Sequence, residues 1–115
     1  IVTRLLIEVN VSGERNKEGF RPTELESVLE DVANLPNIDI QGLMSMSGLE
    51  SDESQTTREF ALLRELREGL TSRCPENVSL KHLSMGMTRD YELAIREGAT
   101  IVRIGTALFE GIPRV

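Results

Sequence analysis

Two turns near the end of the chain carry the small and hydroxyl residues that commonly bind phosphate. Ser84 and Gly86 occupy the first predicted turn, and Gly105 and Thr106 occupy the second. Glycine lets the backbone approach an anion closely, while main-chain N–H groups and hydroxyls donate hydrogen bonds to its oxygens. The same glycines could instead serve only to relax two tight strand-to-helix turns, so the residue types alone leave both interpretations open.

Arg103 is a further candidate because it interrupts an otherwise apolar segment, Ile-Val-Arg-Ile-Gly. A charge in such a segment is costly unless a partner lies nearby. The partner could be a carboxylate on a neighbouring strand, such as Glu8, or it could be a bound ligand. A guanidinium donates hydrogen bonds and accepts none, so a ligand held by Arg103 would have to present an acceptor atom.

Short apolar runs alternate with helical stripes along the chain, and this rhythm predicts the elements that position these residues. Strands are predicted at residues 4–11, 38–44, 78–83 and 100–104, with a helix in each interval. The last helix is expected to have Thr88 as its N-cap, Tyr91, Ala94 and Ile95 on its inward face and Gly98 just after its last turn. Strand–helix alternation implies parallel strands and right-handed crossovers, so both polar turns should lie at the same end of the sheet.

The length of the chain limits how much of such a fold it can contain. Its 115 residues are one domain's worth or less, whereas a (β/α)8 barrel needs roughly 200 residues or more. We therefore expect residues 1–115 to form a single domain of parallel βα units, and if the fold is a barrel, only about half of it can be present. The chain begins on an apolar run without a methionine, which suggests that an N-terminal half is missing. A self-contained small α/β domain is the alternative.

Composition argues against several classes of function. The net charge is −6, from 13 basic and 19 acidic side chains, and aromatic residues make up 3% of the chain. Nucleic-acid binding is therefore not expected, since it needs clustered basic residues and stacking platforms. No apolar run approaches the length of a membrane span. The single cysteine, Cys74, cannot form an internal disulfide and favours a cytoplasmic location. His82 is the only histidine, and no zinc-binding motif or nucleophilic triad is evident.

The strongest motif is Leu-Ser-Met-Gly-Met-Thr at residues 83–88, followed by Asp-Tyr-Glu-Leu and the rest of residues 90–111. It resembles the C-terminal signature of the pyridoxal 5′-phosphate homeostasis proteins, which share the barrel of the alanine racemase N-terminal domain. The resemblance continues upstream, where residues 8–20 and 40–46 follow the family's pattern. The matching positions there are Asn10, Glu14, Lys17, Gly19, Gly42, Leu43 and Met44.

This resemblance implies a fold, a cofactor and a set of binding residues. The fold is the C-terminal half of a (β/α)8 barrel, and the function is the storage, buffering and delivery of pyridoxal 5′-phosphate, without firm catalytic activity. Arg103 would face the pyridine nitrogen, which makes the cofactor a poorer electron sink than an Asp partner would. The implied cofactor-binding residues are Ser84, Met85, Gly86, Met87, Arg103, Gly105 and Thr106.

The resemblance is incomplete in one respect. The family holds its cofactor through a Schiff base to a lysine on an early strand, and neither Lys17 nor Lys81 matches that position, so the lysine is expected to be absent here. The implied partners are the cofactor and either a missing N-terminal half or another copy of the chain. Two alternatives stay open. A racemase-type enzyme would need a second base, for which Tyr91 is the only tyrosine, and a sugar-phosphate aldolase or isomerase would depend on Glu8.

Overall fold

Parallel strands alternate with helices throughout the computed structural model, which describes residues 1–13, 18–46 and 52–103. The sheet has four strands in the order β1-β2-β3-β4, and every neighbouring pair is parallel. The strands are β1 (Thr3–Glu8), β2 (Ile38–Met44), β3 (Val78–Met87) and β4 (Ile101–Arg103). The helices are α1 (Leu25–Val32), α2 (Glu53–Leu70) and α3 (Tyr91–Arg96), with 3-10 turns at Pro22–Glu24 and Thr71–Arg73.

One face of the sheet carries the hydrophobic core. Ile7, Leu43 and Leu83 lie side by side in register and are at most 5% exposed. Phe60 and Leu63 of α2 are fully buried in the same cluster. The helical stripes read from the sequence therefore pack on this face, as expected for right-handed crossovers that leave every helix on one side of a parallel sheet. The α/β prediction is confirmed.

The opposite face, called here the inner face, carries more polar side chains. Glu8, Met44 and Ser84 share one register level of β1, β2 and β3. Because side chains alternate along a strand, these residues point away from the core-forming neighbours that flank them. Four sequential parallel strands with helices on one face form half of an eight-stranded barrel, whose interior the inner face would line.

Strands β2 and β3 approach each other very closely at Gly42. A Cβ atom added there would lie 2.1 Å from the carbonyl oxygen of His82 and 2.7 Å from its carbonyl carbon. The register of the two strands shifts between Ile40 and Gly42, so the close approach coincides with an irregularity in the ladder. Any side chain at this position would have to push the two strands apart.

The main departure from the predicted strands is the length of β3. It continues to Met87, beyond the predicted end at residue 83. Ser84 and Gly86 therefore belong to the strand and not to a turn, because the parallel ladder with β4 extends past them and places Met87 in register with Arg103. β1 differs in the opposite sense and ends at Glu8 instead of residue 11.

Two details of the predicted third helix are wrong. Thr88 is not its N-cap: the cap position belongs to Asp90, and residues 88–90 form a turn. Ala94 is fully buried, as predicted, but Ile95 does not face inward, since it is 54% exposed. Gly98 has a φ of +102°, the left-handed conformation expected of a glycine just past a helix end, so that prediction is confirmed.

An ion pair helps to hold together the layer formed by the helices α1, α2 and α3, called here the helical layer. Arg64 on α2 forms an ion pair with Glu97, just after α3, and both side chains are only partly exposed. Among the described helices, none is long and apolar enough to cross a membrane.

Candidate functional site

The guanidinium of Arg103 is anchored at two points on the inner face. Its Nη1 donates a hydrogen bond of 2.7 Å to the Oγ of Ser84, and its Nη2 donates one of 2.8 Å to the main-chain carbonyl oxygen of Ser45. These groups come from three neighbouring strands, since Ser45 directly follows β2, Ser84 lies in β3 and Arg103 ends β4. Two of the predicted site residues, Ser84 and Arg103, are thus in direct contact.

The backbone fixes this arrangement. The main-chain N–H of Ser45 donates to the carbonyl oxygen of Ser84 at 3.0 Å. Met44, one residue earlier, is in register with Ser84, so the β2–β3 ladder sets the position of both partners of Arg103. The arginine is consequently held in one orientation by groups that cannot easily move, which is the condition for a pre-organised binding site.

Arg103 retains donor capacity that the described part of the protein does not use. A guanidinium has five N–H donors, and its Nε is buried without a hydrogen-bond partner among the described residues. Ser84 is 3% exposed, and its hydroxyl oxygen already accepts from Arg103, so the hydroxyl hydrogen is available for another acceptor. A buried donor without a partner is costly. The corner therefore suits a ligand that brings acceptor atoms, such as a phosphate or an aromatic ring nitrogen.

The order of the strands in the sheet shows whether Arg103 pairs with Glu8, the alternative partner considered from the sequence. β1 and β4 lie at opposite edges of the sheet, with β2 and β3 between them. Glu8, on β1, is therefore separated from Arg103 by two strands, and the arginine contacts Ser84 and Ser45 instead.

Gly86 has a packing role that the sequence did not reveal. Its φ is +101°, and a Cβ atom added there would lie 2.6 Å from the Cβ of Ala94 on α3. Glycine is therefore required for α3 to pack against the end of β3, whether or not a ligand is present. The fully buried Met85 has its side chain in the core, whereas Met87 is 38% exposed. Of the two, only Met87 presents its side chain on the side of Arg103.

Four other candidate residues lie outside the part of the chain that the structure describes, and a fifth, Asn10, has a local role in a loop. Gly105 and Thr106 lie outside the described residues, as do Glu14 and Lys17, so their predicted roles stay predictions. The Asn10 side chain accepts hydrogen bonds from the main-chain N–H groups of Ser12 and Gly13, each at 3.2 Å, and so organises the loop after β1.

The histidine and the lysine of β3 take no part in the Arg103 corner. His82 Nδ1 lies 3.1 Å from the hydroxyl of Thr100, which in turn accepts from the main-chain N–H of Leu83. Lys81 is exposed. Within residues 1–13, 18–46 and 52–103, no three His, Cys, Asp or Glu side chains converge in a way that could hold a metal ion.

Known proteins resemble this chain in sequence and in structure. A pyridoxal phosphate homeostasis protein from Aquifex aeolicus is 49% identical over 109 residues, covering 95% of this chain and 47% of its own length. The structure of PipY from Synechococcus elongatus with PLP bound superimposes with a TM-score of 0.80 at 34% identity, covering 92% of this chain and 48% of PipY. The chain thus spans about half the length of the relatives it matches.

More distant similarity supports the fold. Alanine racemase from Corynebacterium glutamicum superimposes with a TM-score of 0.73 at 18% identity, covering 99% of this chain and 31% of the enzyme. This similarity confirms the predicted half-barrel. The sequence profile described as "Alanine racemase, N-terminal domain" matches residues 2–113, and the chain therefore belongs to the alanine racemase N-terminal domain family.

Proposed function

We propose that this chain forms the phosphate and ring-nitrogen side of a pyridoxal 5′-phosphate (PLP) site, and that the whole protein stores, buffers and delivers the cofactor. The observation that carries the proposal is the anchored guanidinium of Arg103. It is held by Ser84 and by the Ser45 carbonyl, and its buried Nε–H has no protein partner among the described residues.

The donor chemistry of this corner fits the cofactor. Ser84 would donate its hydroxyl hydrogen to the phosphate, and Arg103 would donate to the ring nitrogen. Because a guanidinium does not give up its proton, the ring nitrogen would stay unprotonated. PLP supplies an electron sink when bound, and an unprotonated ring makes that sink weaker. The residues of this chain would therefore favour holding the cofactor over general carbanion chemistry.

We further propose that Gly105 and Thr106 add main-chain and hydroxyl donors for the phosphate. They come two and three residues after the end of β4, while Ser84 lies near the end of the adjacent β3. The carboxyl ends of neighbouring parallel strands meet at one end of the sheet, and barrel proteins use that end for phosphate binding. The names of the relatives support the choice of cofactor, since the Aquifex protein is called a PLP homeostasis protein and PipY was solved with PLP bound.

The described residues favour binding over racemisation. A racemase needs acid–base groups on both faces of its substrate. Tyr91, the only tyrosine, begins α3 in the helical layer and not on the inner face. Glu8, the carboxylate that an aldolase-type site would require, lies on β1, separated from Ser84 by β2. A cytoplasmic location stays a prediction based on the single cysteine.

We also propose that residues 1–115 are the C-terminal half of a barrel and that further βα units cover the open edges of the sheet. These units would come from an N-terminal half or from another copy of the chain. Leu5 on β1 and Ile101 on β4 are 41% and 37% exposed, at opposite edges. Uncovered edges that carry apolar side chains favour association.

A ligand titration tests the proposed function. PLP, pyridoxal and inorganic phosphate are each added to the protein, and binding is followed by absorbance and calorimetry. We expect reversible PLP binding and at least about tenfold weaker pyridoxal binding, because the phosphate contributes charge-assisted hydrogen bonds. Borohydride reduction followed by mass spectrometry should find no pyridoxyl group on Lys17 or Lys81. Equal affinities for PLP and pyridoxal, or a stoichiometric adduct on Lys81, would contradict the proposal.

A further inference from the structure

All four methionines of the chain lie at the carboxyl ends of two neighbouring strands. Met44 and Met46 occur at the end of β2, and Met85 and Met87 occur at the end of β3. Met44 is in register with Ser84, and Met87 is in register with Arg103. Residues paired in register on parallel strands point to the same side of the sheet. Met87 therefore shares the inner face with the guanidinium of Arg103.

The four methionines differ in exposure, and Met44 is intermediate between the exposed and the buried ones. Met46 and Met87 are 43% and 38% exposed, whereas Met85 is fully buried among the core residues. Met46 directly follows Ser45, whose carbonyl oxygen holds the Nη2 of Arg103. The two exposed methionines thus adjoin the Arg103 anchor along the chain and in the ladder: Met46 follows Ser45, and Met87 pairs with Arg103. The reactivity of methionine toward oxidants follows its accessibility.

Oxidation would change the hydrogen-bonding chemistry of this rim. A hydroperoxide transfers one oxygen atom to a thioether: an S–O bond forms, the O–O bond breaks, the sulfur loses two electrons and the peroxide becomes water or an alcohol. The product is a sulfoxide, which is polar and carries a strong acceptor oxygen. The buried Nε–H of Arg103 is a donor without a protein partner among the described residues. A sulfoxide oxygen that reaches this donor would compete with a ligand for it.

We propose that Met46 and Met87 form an oxidation-sensitive pair at the rim of the Arg103 site, and that their conversion to sulfoxides by a hydroperoxide lowers the affinity for PLP. The inference rests on the proposed function and adds a redox control to it. The sulfoxide oxygens would accept from Arg103 and replace an apolar rim with a polar one. Oxidation of these two side chains would then release the cofactor.

The test combines peptide mapping with PLP titration after hydrogen peroxide treatment. It uses the Cys74→Ser protein, so that no thiol reacts. Burial raises the pKa of Cys74, whose thiol donates to the Leu70 carbonyl oxygen at 3.3 Å, and a serine hydroxyl can keep that bond. We expect sulfoxide at Met46 and Met87 before Met85. The affinity for PLP should fall at least about tenfold and recover after treatment with methionine sulfoxide reductase.

Leucine substitutions identify which sulfur atoms matter. Each variant is compared with its own untreated affinity, so that any change in basal binding is removed from the comparison. The Met46→Leu/Met87→Leu protein should lose the peroxide response, and the matched Met85→Leu control should keep it. Oxidation of both rim methionines without loss of affinity overturns this inference alone. A response that persists in the double variant also overturns it. Absence of PLP binding before any oxidation overturns the proposed function as well.

Discussion

Replacing Arg103 with methionine is expected to weaken PLP binding by about 100-fold, or about 3 kcal/mol. The substitution keeps an unbranched side chain of similar length but removes the hydrogen bonds to Ser84 and Ser45 and the donor proposed for the ring nitrogen. Calorimetric titration of PLP measures the effect. Because Arg103 lies at the end of an edge strand, the protein should still fold, which circular dichroism and thermal unfolding can verify.

Two controls separate the role of Arg103 from that of positive charge in general. Arg103→Lys should lose most of the affinity too, because one ammonium group cannot reach both anchors and also donate through a planar fork. Arg64→Met removes a comparable guanidinium from the helical layer, where it pairs with Glu97, and should leave PLP affinity within about twofold of the original. Equal affinities of the Arg103→Met and original proteins would show that PLP binds elsewhere.

The second large effect concerns stability. Gly42→Ala should lower the free energy of unfolding by about 3 kcal/mol, since the new methyl group would overlap the main chain of His82. The atoms in the way are a carbonyl oxygen at 2.1 Å and a carbonyl carbon at 2.7 Å, neither of which can rotate aside. Relief requires separating β2 from β3, and these strands also set the positions of Ser45 and Ser84. Urea or guanidinium unfolding measures the change.

Gly69→Ala is the matched control for this substitution. Gly69 lies within α2, and a Cβ atom added there meets no atom within 4 Å. Alanine is a better helix former than glycine, so this variant should be more stable by up to about 1 kcal/mol. If the two alanine variants changed stability by the same amount and in the same direction, the close approach of β2 and β3 at Gly42 would be refuted.

The alternation of strands and helices could be read from the sequence because each element has a clear apolar period. β2 was predicted with the bounds that the structure has, and α1, α2 and α3 each lie in one of the intervals between strands, as expected. The end of β3 was missed because Ser84 and Gly86 are typical turn residues, yet the strand continues past them. Ser84 pairs with Ile101 and Met87 with Arg103, and Gly86 lies in the irregularity between these pairs. Ala94 was placed correctly and Ile95 was not: Gly86 packs tightly against Ala94, and the orientation of α3 that buries this small residue leaves its neighbour exposed.

Residue types could indicate which side chains take part in the site, but not which main-chain groups do. A lone arginine in an apolar strand and a serine in the turn predicted after the adjacent strand are visible in the sequence, and the structure brings Arg103 and Ser84 together. The second anchor is the main-chain carbonyl of Ser45, and every residue has such a group, so residue type carries no signal for it. Gly105 and Thr106 stay predictions, since they lie outside the described residues.

The central claim is that PLP binds at the Arg103 corner of the inner face, and a crystal structure of the protein grown with PLP tests it most directly. We predict density for the cofactor within hydrogen-bonding distance of Arg103 and Ser84, with its phosphate at the carboxyl ends of β3 and β4. Density for PLP in the helical layer, with Arg103 still bound only to Ser84 and Ser45, would contradict the claim.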